Sequence, residues 1–404
     1  MKFITGGVTA PKGFTANGVH CGIRKNRTKR DLALIYSQVK GSAAATYTTN
    51  LVKGAPLAVT KKNISDGYAQ AMICNSGNAN TCNANGVEIA EQTCLELANA
   101  LNISPNDVIV ASTGVIGQPL SILPIKQAIP SLVKDLSVDG SKYASEAILT
   151  TDLVSKEVAV EFTIDGKVCR MGGIAKGSGM IHPNMATMLV FITSDVNVSP
   201  KMLQKALYGD VKNTFNMLSV DGDTSTNDMV SVICNGLAQN ELIDSEGEQF
   251  EIFMKALNTV NVNLCKMIAG DGEGATKILE CNVTGAKTIE DAKLVSKSVI
   301  CSSLLKAAMF GADANWGRVL CAIGYSGANV DVNKIDVAFK SNKGVIQVCK
   351  NGSGVDFSED FAKEVLLQKE IFILVNLNDG QFSSTAWGCD LTYDYVKING
   401  DYRT

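Results

Sequence analysis

Residues 172–195 read GGIAKGSGMIHPNMATMLVFITSD. The first half is built from Gly, Ser, Pro and Asn, and the second half, MLVFITS, is apolar and β-branched. A flexible, polar approach therefore runs into a buried strand, with Ala186 and Thr187 at the seam. The same change recurs along the chain. VIVAS (108–112) is a short buried strand, and EVAVEFT and KVCRMGGI flank Asp165-Gly166 as a hairpin. Val87, Ala90, Cys94, Leu97, Ala98 and Leu101 fall at helical spacing after Asn85-Gly86. Ser199-Pro200 opens a further helix, and Phe250, Phe253, Leu257, Val260 and Leu264 form one stripe of a long one over 248–268. After residue 285 the pattern predicts two helices, the strands IDVAF and VIQVC, a helix near 358–368 and the strand EIFILVNL. Strands and helices alternate throughout, which is the pattern of an α/β protein, with the tail as its own layer or domain.

Composition narrows the function classes. The 404 residues are 46% hydrophobic and 19% charged, which suits a well-buried chain of two or three packed units. The net charge is −3, and the one basic cluster, Arg24 to Arg30, is short and reads as a solvated loop, so no nucleic-acid footprint is expected. No apolar run reaches the ~18 residues of a membrane span, and the start MKFITGGVTAPKGF lacks the apolar run of a signal peptide, so the expected compartment is the cytoplasm. The 12 cysteines are scattered, several within apolar runs, and read as free thiols. With only two histidines, His20 and His182, a Ser-His-Asp triad or a histidine-rich metal site has little material, so no metal is expected and any base is another group.

Long polar, glycine-rich stretches lie between the apolar runs: CNSGNANTCNANG (74–86), ASTGVIG (111–117), the approach at 172–184, SVDGDTSTND (219–228), GDGEGATK (270–277) and FGADANWGR (310–318). Several such loops in one chain point to a shared cleft. Phosphate loops do not fit, because Lys176 precedes Gly177 and GDGEGATK leads into a strand. SVDGDTSTND lacks the distal Glu of a calcium loop and reads as a turn network. Thr187 offers a different chemistry. Cleavage of the Ala186–Thr187 bond would leave a hydroxyl and a free α-amine on one residue. An α-amine of pKa about 7.7–8.0 is partly neutral at physiological pH and can take the hydroxyl proton, so no histidine is needed.

Read together, these segments resemble the ornithine acetyltransferase family, also called glutamate N-acetyltransferase, of arginine biosynthesis. The likeness is carried by AKGSGMIHPNMATML and, in the family's order, by GGVTAPKGF, CNSGNAN, STGVIG, TTD (150–152), DGDTSTND, DGEGATK, FGADANWGR and YVKINGDYRT, across essentially the whole chain. The resemblance implies a layered α-β-β-α core of the self-cleaving N-terminal-nucleophile type with a smaller α/β C-terminal domain. It implies a cut between Ala186 and Thr187 into an α chain (1–186) and a β chain (187–404). Residues 187–284 would complete the core and 285–404 would form the C-terminal domain. Thr187 would be the nucleophile, taking acetyl from N2-acetylornithine as an acyl-enzyme and passing it to glutamate. Thr113 and Gly114 match the oxyanion hole. Thr150, Lys176, Glu273, Asn399 and Thr404, with Thr187, match substrate-binding positions, the choice between Thr150 and Thr151 staying open.

No cofactor follows from the family, although some members accept acetyl-CoA as a co-substrate and no residue here decides that point. The implied partners are the chain's own α and β products in an (αβ)₂ heterotetramer, with no nucleic acid or membrane. The family chemistry does not require His182, which is read as structural or variable. The competing readings are a self-cleaving aminopeptidase or amidase of the related class, and an uncut binding protein whose polar loops line a pocket.

Overall fold

The strand Leu32–Tyr47 changes partners halfway along its 16 residues. Its first half pairs antiparallel with Phe14–Val19 and Tyr68–Asn78, and its second half with Met229–Cys234. The register shifts between Tyr36 and Gly41, and such a bulge bends a strand. Two leaves result within one nine-stranded sheet. One holds Phe14–Val19, Tyr68–Asn78 and Val108–Val115; the other holds Met229–Cys234, Leu189–Ser194, Lys167–Lys176, Lys156–Ile164 and Lys2–Ile4. This computed structural model describes residues 1–182 and 188–400.

Period-two alternation then builds the layers. Ala33, Ile35, Met72, Cys74 and Ile109 of the first leaf meet Ile174, Leu189, Phe191, Met229 and Ile233 of the second in one buried cluster. Their sequence neighbours Leu32, Leu34, Ala71, Ile73, Val108 and Val110 face the other way, against apolar residues of the helices Gly86–Leu101 and Ile122–Lys134. On the outer side of the second leaf, Gly173 lies against Val260 and Leu264 of the helix Glu248–Gly270. The helix Pro200–Val211 is tied to that helix through Asp210, which accepts from Asn258 at 2.7 Å and Asn261 at 2.6 Å. The order helix, sheet, sheet, helix is the α-β-β-α layering that the resemblance implied. The hairpin expected at Asp165-Gly166 forms with both residues at positive φ, 50° and 74°.

A second unit comprises Ser178–His182, Asn216–Asp223 and the chain from Cys265 onward. Its boundary falls before the expected 284/285 division. The reason is the strand Ile278–Ala286, which pairs parallel with Glu370–Asn376 and antiparallel with Phe382–Cys389 and so lies inside the second unit's seven-stranded sheet. Three helices, Ile289–Cys301, Ser303–Phe310 and Trp316–Gly324, stand where two were expected. The third begins inside FGADANWGR, where Asn315 caps it by accepting from the Arg318 N–H at 3.3 Å. The strand Phe382–Cys389 was not expected, because its Ser-Ser-Thr run carries little strand signal and lies beside Gly and Asp turn residues. All 12 cysteines are free, and among the described residues no helix is long and apolar enough to cross a membrane.

Candidate active site

Val108–Val115 runs parallel to Tyr68–Asn78 and ends at the STGVIG turn. Gly114 stands opposite Gly77, both at positive φ, 130° and 98°. A Cβ on Gly114 would lie 2.3 Å from the Gly77 carbonyl carbon and 2.6 Å from the Asn78 nitrogen. Only glycine permits this approach. Beside it Thr113 is buried, and among the described residues its hydroxyl makes no side-chain hydrogen bond. An uncommitted donor next to a constrained glycine is what an oxyanion hole requires.

The loops around this end are locked together by Asn227 of the DTSTND stretch. Its side-chain nitrogen donates to the carbonyls of Ala79 (2.5 Å) and Ser112 (2.9 Å), while its oxygen accepts from the Thr81 and Thr226 hydroxyls, each at 2.6 Å. Ser112 in turn donates to Asn75 at 2.6 Å. The stretch read as a turn network is therefore the clamp that joins CNSGNAN to STGVIG.

Asp152, the third residue of TTD, organises the next part. It is completely buried, as is Lys156, whose ammonium lies 2.7 Å from it. It also accepts the Gly177 N–H at 2.6 Å and the Thr150 N–H at 3.0 Å, with the Thr150 hydroxyl at 3.4 Å. Burial pushes its pKa up, but the Lys176 and Lys156 charges and these hydrogen bonds overcome it, so the carboxyl is held well below the usual range. Lys176 is also buried, and its charge reaches Asp228. Burial raises the pKa of Asp228 well above the ordinary value despite that charge, and its Oδ2 has no hydrogen-bond partner among the described residues. Lys176 is opposite Leu189 in the antiparallel pair, two residues beyond Thr187 in sequence. The Thr151 side chain makes no hydrogen bond among the described residues, whereas that of Thr150 is engaged.

In the second unit, Asn399 donates to the Glu273 carboxylate at 2.8 Å. Glu273 is buried, and its N–H donates to the Ser178 carbonyl at 2.9 Å. A Cβ on Gly179 would lie 2.4 Å from the Glu273 carboxyl, so the glycine spacing of AKGSG makes room for that side chain. His182 meets the Ser219 hydroxyl at 3.1 Å and the Cys301 sulfur at 3.5 Å. Ala186, Thr187 and Thr404 lie outside the described residues. Of the expected positions, the structure joins Thr113 with Gly114, Thr150 with the Asp152–Lys176 array, and Glu273 with Asn399. Asp152, Lys156 and Asn227 were not singled out as site residues. A buried pair at i,i+4 in a polar loop carries no periodic signal, and Asn227 looked like one turn residue among several.

The layered α/β core thus carries a glycine-constrained strand end and, on neighbouring strands, buried lysines. The ArgJ family model matches residues 15–404, and the chain belongs to that family, the bifunctional acetyltransferases of arginine biosynthesis. It is 51% identical to "Arginine biosynthesis bifunctional protein ArgJ" of Caldanaerobacter subterraneus subsp. tengcongensis over 405 residues, covering 100% of both chains. It is also 51% identical to "Arginine biosynthesis bifunctional protein ArgJ 1" of Clostridium acetobutylicum, covering 97% of this chain and 96% of that one. Among solved structures, a chain of the ArgJ protein from Bacillus halodurans superposes with TM-score 0.50 at 47% identity, covering 52% of this chain and 97% of that chain.

Proposed function

We propose that this chain is a precursor cut once, between Ala186 and Thr187, and that Thr187 then carries acetyl from N2-acetylornithine to glutamate. In the first half-reaction the Thr187 α-amine takes the hydroxyl proton as the oxygen attacks the acetyl carbonyl. The tetrahedral oxyanion is held by the Thr113 hydroxyl and the Gly114 N–H. The C–N bond breaks, the amine returns the proton, and ornithine leaves. In the second, the glutamate amine attacks the acetyl ester, the ester C–O bond breaks, and the proton lost by that amine passes by way of the Thr187 α-amine to the Thr187 oxygen, regenerating the hydroxyl. Lys176 suits the substrate α-carboxylate, Glu273 and Asn399 suit its amino groups and polar atoms, and Thr150 and Thr404 supply further contacts.

The observation that carries this reading is the pairing of Lys176 with Leu189: a buried cation stands one strand away from the strand that Thr187 introduces. The crystallised relative supports the cut, since that whole polypeptide accounts for only 52% of this chain while curated relatives align end to end. No cofactor enters the chemistry. Acetyl-CoA is the second donor in this reading, in keeping with the word bifunctional in the relatives' names. The α and β products stay together as an (αβ)₂ assembly in the cytoplasm.

Mass spectrometry of active protein should show fragments of roughly 20 and 23 kDa, in proportion to 186 and 218 residues of 42.8 kDa, the larger beginning TMLVF. Thr187→Ala should remain one inactive chain. Release of ornithine from N2-acetylornithine should depend on added glutamate. Turnover without glutamate would instead mark an amidase, and full activity in the uncut variant would refute the mechanism.

A further inference from the structure

The second unit contains a cavity of about 370 Å³ that none of the described catalytic or substrate positions lines. Its volume falls in the range of small-molecule sites, roughly 300–1,000 Å³. Lys293, Lys297 and Cys301 recur every four residues along the helix Ile289–Cys301 and so share the face that borders it. His182 closes one side, and Leu294 and Met217 supply apolar wall.

The charges are one-sided. Among the described residues that line the cavity there is no carboxylate. The Lys297 ammonium donates to two backbone carbonyls, Asn216 at 2.7 Å and Leu218 at 2.6 Å, and forms no ion pair among the described residues. An ammonium carries three donors, so one remains. Burial, with only the Cys301 and Cys265 sulfurs opposing it, pushes the Lys297 pKa down to about 8. A cation desolvated this far, with no carboxylate beside it among the described residues, is in the condition that a bound anion relieves. We infer that this cavity is a second ligand site that takes a small organic anion, a carboxylate or phosphate head on a short apolar body, with the head at Lys297 and Lys293 and the body against Leu294 and Met217.

Cys301 allows a direct test on the full-length protein, because its sulfur borders the same space. Iodoacetate and iodoacetamide differ in charge at one end, and peptide mass spectrometry reads each cysteine separately. The ratio of iodoacetate to iodoacetamide reactivity should be about tenfold higher at Cys301 than at the exposed Cys82 and Cys321, the scale of one nearby charge in partly screened surroundings. Lys297→Met should bring Cys301 to the reference ratio, and Lys293→Gln should lower it in part. In the wild type, millimolar hexanoate or inorganic phosphate should slow carboxymethylation of Cys301 alone, and whichever protects better identifies the head group. Equal ratios at all three cysteines, or no protection by either probe, would overturn the site; the protection arm holds even where Lys297→Met does not fold.

Discussion

At Gly114 the presence of one hydrogen in place of a methyl group decides whether two strands can end side by side. Gly114→Ala would force the Gly77–Asn78 peptide away and place alanine at φ 130°, a conformation L residues rarely adopt. The expected outcome is a fall in kcat on the order of 10²–10³, the usual loss for one displaced oxyanion donor, measured by acetyl transfer from N2-acetylornithine to glutamate. Asp152 governs a different quantity. Asp152→Asn removes the carboxylate charge 2.7 Å from the fully buried Lys156 ammonium, and breaking a buried pair in this way costs roughly 3–5 kcal/mol. Urea unfolding should show that loss, and adding Lys156→Met should recover part of it, because the double change also removes the buried charge that Asp152 opposed. Gly114 and Lys176 were legible from the sequence through their place in the family's pattern. Asp152 was not, because nothing in TTD announces that its side chain turns inward to meet Gly177 and Lys156.

At the scale of elements, alternation and capping residues made most strands and helices readable. Lys156–Ile164, Lys167–Lys176, Leu189–Ser194 and Pro200–Val211 all carry local signals that agree with their tertiary setting. Gly172 shows what a local signal omits. It lies in a strand interior, where glycine is disfavoured, yet a Cβ there would come within 1.8 Å of the Gly7 carbonyl oxygen. Gly172→Ala should therefore push the strand Lys167–Lys176 away from the turn Gly7–Thr9. The expected loss is roughly 1–3 kcal/mol by urea unfolding, the range of overpacking. Equal stability of variant and wild type would show that the turn yields freely. The strand Phe382–Cys389 escaped notice for the opposite reason: its polar half is exposed, and it owes its extended form to hydrogen bonds from Ile278–Ala286, not to its own side chains.

At the scale of the whole molecule, acid stability tests the second unit. Burial, helped by the Lys297 charge and opposed by Asp221, lowers the His182 pKa to about 4 from 6.5. The unfolded chain thus binds this proton before the folded one does. Stability from the neutral imidazole is complete above about pH 6.5 and is lost as pH falls toward about 4. The urea midpoint should decline across that window, and His182→Gln should make the decline from pH 7.5 to pH 4 shallower. The sequence by itself determined the α/β class, the polar loops, free thiols, the scarcity of histidine and the family membership, because propensity, composition and motif order are properties of the linear chain. Tertiary structure alone decided the partner switch within Leu32–Tyr47, the membership of Ser178–His182 and Asn216–Asp223 in the second unit, the Asn227 clamp, the burial of Asp152 with Lys156, and the cavity beside Lys297. Each of those depends on which residues distant in sequence become neighbours, and on how much water their meeting removes from a charge.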